Sequence, residues 1–114
     1  DATLRWMQND GVTEEVRNFP TNSEGKGNYK GTQGNTNKVI PTGSNPAYAV
    51  NNIYDMAGNV YDRTIEASYT DNRVVRGGYY RDTGSDRPAS NRVSVYPTDT
   101  LSLYGSRSTL YVAL

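Results

Sequence analysis

Asn52-Ile53-Tyr54-Asp55-Met56-Ala57-Gly58-Asn59-Val60-Tyr61-Asp62 leads, after a short interval, into Arg73-Val74-Val75-Arg76-Gly77-Gly78-Tyr79. Across that interval the period is two. Val60, Asp62, Thr64 and Glu66 alternate with Tyr61, Arg63, Ile65 and Ala67, the pattern of a half-buried strand. Ser68 to Asn72 supplies turn residues, Arg73 to Arg76 returns as a second strand, and Gly77-Gly78 ends it. These residues predict a β-hairpin.

Working outward toward the N-terminus, residues 20–46 are mostly Asn, Thr, Gly, Ser and Lys with almost nothing to bury, and read as a long surface loop. Gly25-Lys26-Gly27 does not cradle phosphate, because a phosphate loop needs its Gly-Lys-Ser/Thr at fixed spacing between a strand and a helix. A long irregular segment inside a compact domain is itself a sign of a binding scaffold. Further back, Leu4, Met7, Val12, Val16 and Phe19 fall three or four apart around a break at Asp10-Gly11. They predict one or two short helices, the second capped by Thr13 with Glu14 and Glu15 in its first turn. Toward the C-terminus, residues 82–108 are again polar with scattered apolar positions, and Thr109-Leu110-Tyr111-Val112-Ala113-Leu114 reads as a closing strand. The pattern as a whole is α+β, loop-rich, with antiparallel strands.

Composition narrows the chemistry. The 114 residues, one domain's worth of chain, include no Cys and no His, which removes disulfides, thiolate nucleophiles, Cys/His zinc sites and any triad built on imidazole. Lys+Arg and Asp+Glu are 12 each, so no overall field draws the chain to nucleic acid or anionic membrane. Arg73, Arg76, Arg81, Arg87 and Arg92 interleave with tyrosines, but their local excess is too small for a groove that tracks a nucleic-acid backbone. No apolar run is long enough to insert into a membrane, and Asp1-Ala2-Thr3-Leu4-Arg5 carries no signal-peptide pattern. Leu, Ile, Val and Phe are scarce while tyrosines number 10. A Tyr-rich, Leu-poor chain describes a thin core under an adhesive surface.

The two stretches quoted first resemble the signature of the formylglycine-generating enzyme (sulfatase-modifying factor) superfamily, N-x-Y-D-M-x-G-N-V-W-E-W followed by R-V-x-R-G-G-S-W. The likeness covers residues 45–114, with Gly105-Ser106-Arg107 where the family closes on G-F-R. It implies a C-type lectin-like fold over a single domain, 1–114: an N-terminal helix and long loop over 1–46, a scaffold hairpin over 47–76, and a C-terminal region over 77–114. The family's oxidising enzymes hold copper with a pair of cysteines after R-G-G. This sequence has Tyr79-Tyr80-Arg81-Asp82-Thr83-Gly84-Ser85-Asp86-Arg87 there, and without sulfur ligands the copper chemistry does not carry over. Trp-Glu-Trp is Tyr61-Asp62-Arg63, a change of packing rather than of fold.

A branch with this fold that lacks the cysteines is the variable proteins of diversity-generating retroelements, whose C-terminal stretch is rewritten by adenine-directed mutagenesis into a ligand-binding face. Mutating the adenines of an AAC or AAT codon never yields Lys, Glu, Gln, Met or Trp, and residues 77–108 contain none of these. The resemblance then implies a fixed set, Gly77, Gly78, Pro88, Ala89, Ser90, Arg92, Pro97, Gly105 and Arg107. The implied ligand-binding set is Tyr80, Arg81, Asp82, Asp86, Arg87, Asn91, Val93, Val95, Tyr96, Asp99, Leu101, Leu103 and Tyr104. Exposed Tyr and Arg suit such a face, since each offers a large contact area with a polar tip. Val93, Val95, Leu101 and Leu103 also fit period-two strand residues turned toward the core, and both readings stand at this point.

The superfamily's D-M-x-G-N run can also wrap a structural calcium ion. Carried over, its donors are Asp55, the carbonyls of Gly58 and Val60, and Asp62, an all-oxygen set suited to a hard cation. The alternative is that Asp55 and Asp62 bond the N–H groups of their own turn. The function implied is a non-catalytic binding domain, on a phage virion or bacterial cell surface, for protein or glycan on a target cell. Two readings compete with it: a fixed-partner structural domain of the superfamily, and an enzyme working through Asp82 and Asp86, for which no acid–base pair stands at a readable spacing.

Overall fold

The computed structural model describes residues 18–108. The helices expected before Phe19 and the closing strand expected over 109–114 lie outside the described residues. A one-turn 3-10 helix, Pro46–Tyr48, begins on Asn45, whose side chain accepts from the Ala47 N–H, with proline at the position where its missing donor costs nothing. β1 (Ala49–Val50) and β2 (Ile53–Tyr54) pair through Asn51-Asn52. Both asparagines have positive φ, 48° and 63°, the conformation of the tight turn that matches strand twist.

The hairpin forms from β3 (Tyr61–Ala67) and β4 (Arg73–Arg76), and its antiparallel ladder is extended by β5 (Arg92–Val95). β6 (Tyr104–Ser106) joins the other edge of the sheet, giving the order β5-β4-β3-β6. It runs parallel to β3, so the expected antiparallel strands are joined by one parallel edge and the sheet is mixed. The cause lies in the route of the chain: residues 96–103 carry it from the β5 edge across β4 and β3 to the opposite edge. It also returns to the end of the sheet where β5 began, and so enters β6 pointing the same way as β5 and β3.

Pairing register puts Arg63, Val75 and Val93 in one row and Asp62, Arg76 and Arg92 in the next. Alternation turns these rows to opposite faces. On the first face Tyr61, Val75 and Val95 form a buried cluster with Tyr79, Val93, Leu103 and Tyr104 packed against it. On the second, Arg76 and Arg92 stand directly opposite one another, a repulsive cross-strand pair, and the Glu66 carboxylate bridges both. These arginines hold the Glu66 carboxyl below the usual carboxylate range, chiefly through the Arg76 hydrogen bond. Glu66 reaches them because β3 bulges between Arg63 and Ala67. The Thr64 hydroxyl donates to the Val74 carbonyl and accepts from the Glu66 N–H there, while Ile65 is turned fully into solvent.

The long loop is not a bare surface loop. It buries its own Tyr29, Asn28 and Ser23 completely and covers Tyr48, whose hydroxyl donates to the Gln33 carbonyl, and Tyr29 joins Phe19, Val50, Ala57 and Ala89 in a second core cluster. Its backbone is satisfied by asparagines. Asn59 Oδ1 accepts from Asn28 Nδ2 at 3.1 Å and from the Ile40 N–H at 3.0 Å, and Asn59 Nδ2 donates to the Ile40 carbonyl at 2.9 Å. Asn28 also donates to the Lys38 carbonyl, and Asn35 donates to Asn28 Oδ1. In a segment without ladder hydrogen bonds, side-chain amides supply the partners that buried main-chain groups require.

Candidate binding face

Two glycines start the face. Gly77 and Gly78 both take positive φ, and a Cβ on Gly78 would lie 2.6 Å from the Arg87 carbonyl oxygen. Only glycine lets the chain leave β4 and fold the 77–87 loop back so closely. The loop is then held from the N-terminal half of the molecule. The Tyr29 hydroxyl lies 2.6 Å from the Gly77 carbonyl and 2.7 Å from that of Arg87. Ser23 N–H donates to the Gly84 carbonyl, Lys30 N–H to that of Asp82, and Asn35 Nδ2 to that of Tyr80, while Tyr80 N–H donates to the Asn59 carbonyl. Every one of these bonds uses main-chain atoms of the loop.

Within the loop Asp82 is a structural acceptor. Its Oδ2 takes the Tyr61 hydroxyl at 2.9 Å and the Tyr79 N–H at 3.2 Å. Burial, reinforced by this carboxylate, pushes the Tyr61 phenol well above its ordinary range and keeps it a neutral donor. Asp86 Oδ2 accepts from the Thr83 hydroxyl, and Asp99 Oδ2 from the Tyr96 N–H. Asp82 and Asp86 are thus each engaged locally, and no acid–base pair forms between them.

Around Tyr61 the rings make a row. Tyr61 stacks on Tyr79 at 5.7 Å and tilts against Tyr104 at 6.3 Å, and Tyr79 meets Tyr80 edge-on at 5.3 Å. A guanidinium closes each end: Arg63 lies 4.8 Å from the centre of the Tyr104 ring and Arg81 lies 5.4 Å from that of Tyr80, both within cation–π range. Arg63 also donates to the Asp99 carbonyl.

The residues expected on the ligand-binding face therefore divide. Tyr80, Arg81, Asp82 and Tyr104 come together around Tyr61, and the Arg87 backbone closes against Gly78 beside them. Asp86 and Asn91 sit beside them on the loop and its continuation, Asn91 within 3.5 Å of Arg87. Asp99 is met by Arg63 from below. Tyr96 and Leu101 are exposed, at 59% and 55%, on the crossing segment. Val95 is corrected: it is 6% exposed and belongs to the core beneath the face, because period two along β5 turns it inward. Val93 and Leu103 are half-buried against the same core. Tyr61, Arg63 and Tyr79 were not on the expected set, although the shared parity of Tyr61 and Arg63 on one strand was a visible signal.

A cleft of about 310 Å³ is lined by Asp55, Asp62, Val60, Asn59 and Arg107 among others. Arg107 Nε donates to Asp62 Oδ2 at 2.7 Å, and its guanidinium also donates to the Asp55 carbonyl. Asp55 Oδ2 accepts from the Gly43 N–H at 2.8 Å. Asp55 Oδ1 is buried and has no partner among the described residues. Burial pushes the Asp62 carboxyl up, Arg107 opposes that, and the nearby Asp55 adds to it. Two carboxylates against one guanidinium and an orphaned oxygen fit a hard cation. Gly58 is the exception in the implied donor set. It does not line the cleft and is pressed under Asn28, whose carbonyl oxygen would be 2.8 Å from a Cβ there.

No family profile and no curated protein matches this sequence. A solved structure does: variable protein 1 of Treponema denticola is similar over 92% of this chain and 44% of its own, at 21% identity, with a TM-score of 0.61. The likeness is one of fold, and this chain spans less than half the length of that protein.

Proposed function

We propose that this chain is a non-catalytic ligand-binding domain with a C-type lectin-like fold. Its 77–108 region is diversified by a retroelement, and it is displayed on a phage virion or bacterial surface to bind protein or glycan on a target cell. The observation that carries this reading is the way the 77–87 loop is held. Its external hydrogen bonds from Tyr29, Ser23, Lys30, Asn35 and Asn59 go to main-chain atoms, so most of its side chains can be replaced without removing a support. Fold likeness to a protein named a variable protein and the absence of Lys, Glu, Gln, Met and Trp from 77–108 support it further.

The test is to sequence the gene's neighbourhood in many isolates. The expected result is a near-copy of the codons for 77–108, differing at adenines and lying beside a reverse-transcriptase gene. Variation should fall at Tyr80, Arg81, Asp86 and Arg87 and spare Gly78 and Val95. A window that is invariant, with no repeat nearby, would instead make this a superfamily domain with a fixed partner.

The Asp55–Asp62 cleft is assigned in the same reading to a structural calcium ion, with Asp55, Asp62 and the Val60 carbonyl as its donors. Bound calcium would neutralise the excess carboxylate charge and stabilise the folded state by mass action. Calcium added to metal-free protein is expected to raise the melting temperature, and the rise should vanish in Asp55→Asn. An unchanged melting temperature at millimolar calcium would overturn the calcium assignment and leave Asp55 and Asp62 to the hydrogen bonds they make with Gly43 and Arg107.

A further inference from the structure

We infer that the row Arg63–Tyr104–Tyr61–Tyr79–Tyr80–Arg81, with Arg87 beside it, is a docking ridge for an acidic protein segment, half of it constant and half replaceable. The inference rests on the reading of this face as a ligand-binding face and names the chemistry that the face accepts.

The first support is how the charges are used. Asp82, Asp86 and Asp99 each have an oxygen engaged by hydrogen bonds from Tyr61 and Tyr79, Thr83, and Tyr96 respectively. The arginines among them are not matched in the same way. Among the described residues the carboxylate ion pairs join Glu66 to Arg76 and Arg92, and Asp62 to Arg107; none involves Arg63, Arg81 or Arg87. Arg81 and Arg87 are exposed, Arg81 stacks on Tyr80, and Arg87 has only a long contact with Asn91. Each of these carboxylates has one oxygen held by neutral donors, and the guanidiniums keep donors that a planar carboxylate fits in pairs. A complementary partner brings carboxylates to the ends of the row and apolar or aromatic side chains to its middle, the combination found at binding hot spots.

The second support is the division of the row along the chain. Tyr61 and Arg63 lie on β3, before the window, while Tyr79, Tyr80, Arg81, Arg87 and Tyr104 lie within it. Tyr61 is buried at the centre of the row. The constant strand thus supplies to every version of the face one guanidinium and a buried ring that supports Tyr79 and Tyr104 from below, and the replaceable residues tune what stands beside them.

The probe is a glutamate-rich random copolymer of glutamate and tyrosine, with polylysine and a sialylated glycan array as comparisons. Binding of the whole chain to the copolymer is expected, weakening as salt rises. It should fall by about tenfold or more in Arg81→Gln/Arg87→Gln, two exposed positions whose replacement leaves the fold intact. Arg63→Gln should lower it too, whereas Arg92→Gln, on the opposite face of the sheet, should not. Absent copolymer binding, or binding that survives loss of Arg81 and Arg87, overturns the inference, as does binding to sialylated glycans alone. Codon variation in 77–108 without copolymer binding would sink this inference and leave the diversified face standing. Copolymer binding with an invariant window would do the reverse.

Discussion

Tyr29→Ala is expected to bring the folded state to within about 2 kcal/mol of unfolding at room temperature. The ring is fully buried in the cluster with Phe19, Val50, Ala57 and Ala89, and truncating a large buried aromatic costs roughly 3–5 kcal/mol. Small domains are stable by about 5–15 kcal/mol, and a chain with so little Leu, Ile, Val and Phe belongs at the low end. Tyr29→Phe separates ring from hydroxyl. It keeps the packing but leaves the Gly77 and Arg87 carbonyls without their shared donor, at about 1–3 kcal/mol. Urea unfolding followed by circular dichroism measures both variants. A loss under about 1 kcal/mol for the alanine variant would contradict the burial described.

Asn59→Ala is expected to cost about as much, for a different reason. Asn59 holds φ at 63°, where alanine is strained by roughly 1 kcal/mol, and its amide satisfies both the N–H and the carbonyl of Ile40 and one proton of Asn28. Removing it leaves several buried polar groups unpaired at about 1–3 kcal/mol each. Asn59→Asp is the sharper comparison, since a carboxylate retains the acceptor side but cannot donate to the Ile40 carbonyl. We expect both variants to lower the urea midpoint and to raise proteolysis between residues 30 and 42, where the loop loses its anchor. Unchanged protease resistance there would show that the loop holds itself.

The hairpin was legible because its information is local. Alternation from Tyr61 to Ala67, turn residues and the return of Arg73 to Arg76 each follow from a few neighbouring residues. Gly77 and Gly78 were legible as a stop, though not as the point where the loop presses on Arg87. The bulge was hidden. Its extra residues keep the alternation in sequence while throwing Ile65 outward and Glu66 toward two arginines from β4 and β5. The loop over 20–46 misled most, because asparagine and glycine carry the same polar signature whether they face water or, as Asn28 does, sit wholly buried against another loop.

For the candidate face, composition pointed to tyrosine and arginine, and chain position pointed to 77–108. What could not be read was which of these residues meet. Val95 was placed among ligand contacts and lies in the core, since a short strand of alternating polar and apolar residues looks the same whichever side is wet. Asp82 looked available and is instead the acceptor that fixes Tyr61 and Tyr79.

By itself, then, the sequence determined the exclusion of cysteine and histidine chemistry, the hairpin, and its stop at Gly77-Gly78. These depend on residue type and on neighbours within a turn or a strand. Only the tertiary structure decided that β6 runs parallel to β3, that Tyr29 and Asn59 support a loop remote in sequence, and that Arg63 on one strand closes a row of rings ending at Arg81. Those contacts join residues far apart along the chain, and no local pattern encodes a partner that folding brings from elsewhere.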